Sequence, residues 1–116
     1  MPCLIIEDEL LIAMDLEALL RAQGAISFSF AETEEGAIHE ARAVRPDFIM
    51  SDVSLTPGSG PLAVAAILAE LGPIPAIFIT ATPESCHSCA RPEQIFRKPL
   101  DRPAIARAFR EMAFAA

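Results

Sequence analysis

The chain has 116 residues, enough for one domain with its own core and no need of disulfide staples. Its formal charge of −7 argues against a protein that tracks a nucleic-acid backbone on a basic stripe, and its 53% hydrophobic residues fall in blocks too short for a membrane span, so neither partner is expected. Three cysteines do not form a secreted disulfide framework, and "MPCLIIEDE" has no basic flank before its apolar run, so the expected location is the cytoplasm.

Residues 3–6 (CLII) read as a buried strand, followed by a helix from about Glu9 to Gln23 with Ile12, Leu16 and Leu19 on one face and Gly24 as its stop. Residues 25–31 (AISFSFA) alternate as a second strand. Thr33 then opens a helix with Ala37, Ala41 and Val44 on one side, closed by a turn at Pro46-Asp47. Residues 48–51 (FIMS) form a third strand ending at Asp52, and "SLTPGSGP" is a loop into the helix 62–71 (LAVAAILAEL), which Gly72, Pro73 and Pro75 stop. The fourth strand is 76–80 (AIFIT) and the fifth about 94–97 (QIFR). Between them Pro83 and Pro92 bracket a segment with no apolar stripe, for which at most a short helical stretch near Pro83 to Cys89 is expected. Asp101 caps a last helix that accepts Pro103 in its first turn and sets Ile105, Ala108, Phe109 and Met112 on one side.

Near-continuous apolar strands joined by helical crossovers predict a doubly wound α/β domain: a five-stranded parallel sheet of order 2-1-3-4-5, flavodoxin-like, with a shortened or irregular fourth helix. In such sheets ligands bind beyond the carboxyl ends of strands 1 and 3, where the winding reverses. Strand 1 delivers Glu7, Asp8 and Glu9 to that rim and strand 3 delivers Asp52. Carboxylates so close repel, and an oxygen-ligated divalent cation such as Mg²⁺ relieves them. Strand 4 adds the Thr80 hydroxyl, followed by the small Ala81, and strand 5 adds Lys98, the chain's single lysine. Nucleophilic carboxylate, cation, hydroxyl and ammonium are the parts for moving a phosphoryl group onto Asp52.

With IIEDE, SDVSL, FITA and RKPL in this order, the chain resembles, over its full length 1–116, the CheY-like receiver domains of response regulators. The resemblance implies Asp52 as phospho-acceptor, Asp8 and Asp52 as side-chain Mg²⁺ ligands, Glu7 as a ligand through water, and Ser54 as a backbone-carbonyl ligand. It implies Thr80 as switch hydroxyl, Lys98 as phosphate partner, and a cis Lys98-Pro99 bond. The implied partners are a sensor histidine kinase or phosphotransfer protein upstream and a protein partner or output domain downstream. It implies a phosphorelay acceptor with possible autodephosphorylation rather than a turnover enzyme. "TPE" and "RPE" ahead of "KP" resemble in particular the receivers of PhyR-type general stress regulators, which carry a sigma-factor-like domain ahead of the receiver. Two expectations stay open, a receiver that stands alone or one whose output domain has been cut away, and a start at Met1 fits the first better.

The pattern departs from the family at Ile95, where receivers usually hold an aromatic residue three before the lysine. Phe96 is predicted on the opposite face of strand 5. Taken singly, Glu7, Asp8 and Glu9 also read as helix N-terminal acids and Asp52 as a turn residue; their concurrence with Thr80 and Lys98 favours a site. Cys86 and Cys89 with His87 make a CxxC in a late loop, with no second pair of zinc ligands and the wrong position for a thioredoxin-type site, so no role is assigned to them. Cys3 reads as a small buried hydrophobe. Two other functions compete. A haloacid dehalogenase-like phosphohydrolase would need a DxD after strand 1, where Asp8 is followed by Glu9-Leu10. A degenerate receiver would act as a phosphorylation-independent interaction domain.

Overall fold

Two apolar clusters sandwich a single parallel sheet in the computed structural model, which describes residues 1–55, 58–81 and 95–113. The strands are β1 (Pro2–Ile6), β2 (Ser27–Ala31), β3 (Phe48–Asp52), β4 (Ala76–Thr80) and β5 (Ile95–Arg97), in the order β2-β1-β3-β4-β5. The helices are α1 (Leu10–Ala22), α2 (Glu34–Ala43), α3 (Gly60–Leu71) and α4 (Arg102–Ala113). Sheet order and strand direction are as the sequence predicts. The 82–94 segment, with the expected short helix and Cys86, His87 and Cys89, lies outside the described residues.

Strand composition matches strand position. β3 and β4 are buried at every residue and occupy the interior of the sheet, whereas β2, with its alternating SFSFA, is an edge strand that is half solvated. Alternation then divides the core. Cys3, Ile5, Phe48, Met50, Ile77 and Ile79 face α1 and α4, while Leu4, Ile6, Ile49, Ala76 and Phe78 face α2 and α3. On the first face Phe109 of α4 meets Phe48 edge-to-face at 4.8 Å between centroids. Cys3 belongs to this layer, and burial pushes its thiol up to about 11, as suits an inert core residue.

Several boundaries differ from the sequence reading. β2 begins at Ser27 rather than 25, because the Ala25 N–H is used to close α1: it donates to the Leu20 carbonyl while the Gly24 N–H donates to Arg21. Gly24 has φ 106°, the left-handed turn such a helix end requires. Val44 lies past the end of α2 in extended conformation and is half exposed, so it does not extend the Ala37–Ala41 stripe. α3 starts at Gly60, two residues early, since the Ser59 hydroxyl accepts from the Leu62 N–H and Pro61 needs no N–H partner in a first turn. The caps of α2 and α4 fall where expected, with Thr33 Oγ1 accepting from Gly36 and Asp101 Oδ1 from Ala104.

Candidate functional site

The carboxyl ends of β1, β3, β4 and β5 surround an open cleft of about 270 Å³, lined by Asp8, Glu9, Asp52, Ser54, Thr80, Ala81 and Lys98. Glu7, just past β1, stays in register because its N–H donates to Ala31 O at 2.9 Å. Its side chain is buried behind the cleft. Asp52 ends β3 and is 6% exposed, Thr80 ends β4 and is 3% exposed, and both line the cleft. The Lys98 N–H donates to Thr80 O at 2.8 Å, which fixes the lysine backbone beside the end of β4. The Lys98-Pro99 bond is cis. Ser54 pairs with Ser59 in an isolated antiparallel bridge and lines the cleft.

Glu7, Asp8 and Asp52 each present a carboxylate oxygen within 4.8 Å of the other two. Lys98 Nζ stands 3.4 Å from both Asp52 Oδ2 and Glu7 Oε1, and 4.0 Å from Glu9 Oε1. Burial pushes the Glu7 carboxyl up to about 7, and the Asp52 charge pushes the same way against the Glu9 N–H and Lys98. Burial alone would lower Lys98, but the charges of Asp52, Glu7 and Glu9 outweigh it, so its pKa is raised and it remains an ammonium. Glu7 Oε1 is buried and accepts no hydrogen bond. A buried carboxylate oxygen that faces Lys98 but accepts no hydrogen bond, inside a three-acid cluster, belongs to a donor set that a small hard divalent cation satisfies. The residues present therefore fit Mg²⁺.

The sheet thus assembles every predicted site residue except Ile95. Ile95 pairs in register with Phe78 and packs on the α2–α3 face, below the rim, while Phe96 packs on the α1–α4 face as predicted. Two features escaped the sequence reading. Gly60 packs directly on the Asp52 carbonyl: a Cβ there would lie 1.7 Å from that oxygen and 2.4 Å from Ser51 Oγ, which itself donates to Asp52 O at 2.8 Å. The Ser-Gly-Pro run, read as loop, carried the signal of a helix start. Glu9, a rim acid to which the sequence gives no task, faces Lys98.

A 2-1-3-4-5 sheet with three carboxylates and one lysine at its reversal point defines a CheY-like signalling module. The chain belongs to the response regulator receiver domain family, which it matches over residues 3–110. It is 44% identical over 94 residues to the phyllosphere-induced regulator PhyR of Methylorubrum extorquens, covering 80% of this chain and 35% of that protein. The chain thus spans about a third of that relative's length.

Among solved structures, the receiver domain of PhyR from Erythrobacter litoralis superposes with a TM-score of 0.88 at 32% identity, covering 98% of this chain and 90% of that one. PhyR from Brucella abortus superposes with 0.85 at 32% identity over 97% and 47% of the two chains. The receiver of the sensor histidine kinase PA1611 from Pseudomonas aeruginosa, solved with a magnesium ion in its active-site cleft, shares the fold at 24% identity, with a TM-score of 0.82 over 98% of each chain. This is a PhyR-type receiver domain, and membership of that family leaves the phosphohydrolase alternative without support. No described helix is long and apolar enough to cross a membrane.

Proposed function

We propose that Asp52 accepts a phosphoryl group from the phosphohistidine of a sensor histidine kinase or phosphotransfer protein, and that the resulting state alters binding to a downstream protein partner or output domain. One observation carries this reading: the Asp52 carboxylate sits at the cleft floor with Lys98 Nζ 3.4 Å from one oxygen and two further acids converging on it. An Asp52 oxygen attacks phosphorus as the P–N bond breaks, and the departing imidazole nitrogen keeps the electron pair and takes up a proton. Charge accumulates on the equatorial phosphoryl oxygens, where Lys98 offers an ammonium and Thr80 a hydroxyl, and Ala81 leaves room. Glu7, Asp8, Asp52 and the Ser54 carbonyl would hold Mg²⁺, which when bound supplies the positive charge that offsets the carboxylates and the incoming oxygens.

A landing surface for the donor adjoins the cleft. Leu10, Leu11 and Met14 of α1 are exposed, and a largely apolar groove of about 380 Å³ runs from Leu11 and Ile12 to Pro99 and Leu100, bordered by Lys98. Downstream, engagement of Thr80 pulls on the end of β4 and so on its paired strand β5, with an aliphatic Ile95 in place of a swinging ring. The cytoplasm, where histidine kinases present their phosphohistidine, is the matching compartment.

The test is labelling with a small phosphoramidate donor and Mg²⁺. Wild-type protein gains an acid-stable, base-labile acyl phosphate and Asp52→Asn gains none; equal labelling of the variant would sink the assignment and favour a degenerate receiver.

A further inference from the structure

Glu9 is the cleft carboxylate to which phosphoryl transfer gives no part. Its backbone is held on both sides, the N–H donating to Glu7 Oε2 at 3.1 Å and the carbonyl accepting from the Ala13 N–H at 3.0 Å. It occupies the N-cap position of α1, yet its side chain makes no capping bond. Instead Oε1 lies 4.0 Å from Lys98 Nζ and the residue lines the cleft mouth. The three acids that converge as a cation site are Glu7, Asp8 and Asp52, and Glu9 is not among them. Neutralising those three leaves Glu9 as the negative charge facing Lys98.

We propose that Glu9 is a positioning residue that holds the Lys98 ammonium toward the cleft mouth in the resting protein, in competition with an incoming phosphoryl group. This rests on the reading of Asp52 as the acceptor. A single lysine position serves all three acids, with Nζ 3.4 Å from Asp52 and Glu7 and 4.0 Å from Glu9, so the outer carboxylate draws against the two inner ones. A phosphoryl group on Asp52 draws it inward, and the Glu9 contact must then loosen. The Glu9 side chain is 65% exposed, and ion pairs so exposed shift an equilibrium by roughly fivefold at most, which makes Glu9 a modulator rather than a lock.

Lys98 is the only lysine in the chain, so a lysine ε-carbon label gives one NMR signal that reports this ammonium alone. In metal-free protein Glu9→Gln shifts that signal, whereas Glu17→Gln, which unpairs Arg21 on the next turns of α1, leaves it in place. An unchanged lysine signal in Glu9→Gln overturns the contact. With Mg²⁺ present, Glu9→Gln binds beryllofluoride about threefold tighter than wild type, within the range of an exposed ion pair. Equal or weaker binding overturns the competition. In a Lys98→Ala background the Glu9→Gln gain disappears; its persistence would mean direct repulsion of the anion and would overturn the role through lysine. A beryllofluoride response absent from wild type as well refutes the acceptor reading and the competition with it, while the lysine signal separately decides the resting contact.

Discussion

Gly60→Ala tests how the acceptor is held. The glycine N–H donates to Val53 O at 3.0 Å, so its Cα is tied to the chain just beyond Asp52. A methyl built there lies 1.7 Å from the Asp52 carbonyl oxygen, 2.4 Å from Ser51 Oγ and 2.9 Å from the Asp52 carbonyl carbon. Ordinary contact begins at 3.4 Å, so α3 or the end of β3 must retreat by about 1.7 Å against backbone, not against a flexible side-chain tip. Overpacking of this kind costs roughly 1–3 kcal/mol, and a backbone clash belongs at the upper end. For a domain of this size about 4 °C of melting temperature is lost per kcal/mol, so Gly60→Ala melts roughly 10 °C lower. Because the displaced atoms belong to the acceptor, phosphoryl labelling also slows, by about 100-fold for a misplacement near 1 Å. Thermal unfolding followed by circular dichroism and timed labelling read the two effects. Gly72→Ala is the control: nothing lies within 4 Å of its Cβ position, and only its φ of 92° with ψ of −175°, a region essentially confined to glycine, opposes the change, at a cost of about 1–3 kcal/mol and with no effect on labelling. Wild-type melting and labelling in Gly60→Ala would refute the steric argument.

Three further outcomes follow from the site and the core. Glu7 is raised to about 7 in the folded protein from an ordinary 4.5, so in metal-free protein its contribution to stability is full below pH 4.5 and is lost as pH rises through 7, by roughly 3 kcal/mol at about 1.36 kcal/mol per pH unit. Urea unfolding of wild type minus Glu7→Gln across this range reads it, and a difference that grows in favour of wild type with rising pH would contradict it. Mg²⁺ affinity should rise over the same range, because the Glu7 carboxyl must lose its proton to serve as ligand; an affinity flat from pH 5 to 8, by calorimetry, would contradict this. Phe109→Ala empties a fully buried position against Phe48 and is expected to cost about 3–5 kcal/mol in denaturant unfolding; a cost under about 1 kcal/mol would mean that α4 is not part of the core.

The fold was legible because strand composition records burial on two faces. FIMS and AIFIT have no polar alternation and can sit only inside a covered sheet, whereas SFSFA alternates and belongs at an edge. The carboxylates were legible because they follow apolar runs directly, and a strand end can point only to the rim. Less accessible were properties of the backbone in three dimensions. Ala25 looks like strand and serves instead to close α1; Gly60 looks like loop and proves to be the surface on which the acceptor carbonyl rests. Val44 kept the helical period but fell one residue beyond the last turn. Glu9 could be placed at the rim from sequence, but its separation from the three converging acids and its approach to Lys98 depend on distances of 3–5 Å that no spacing rule contains.

Phosphoryl transfer to this domain comes down to one bond, from phosphorus to an Asp52 oxygen. Borohydride reduction of the phosphorylated protein converts the carrying aspartate to homoserine, and peptide sequencing then locates it. Homoserine is expected at position 52 and intact aspartate at position 8. Homoserine at position 8, or at neither position in protein shown to carry acyl phosphate, would contradict it.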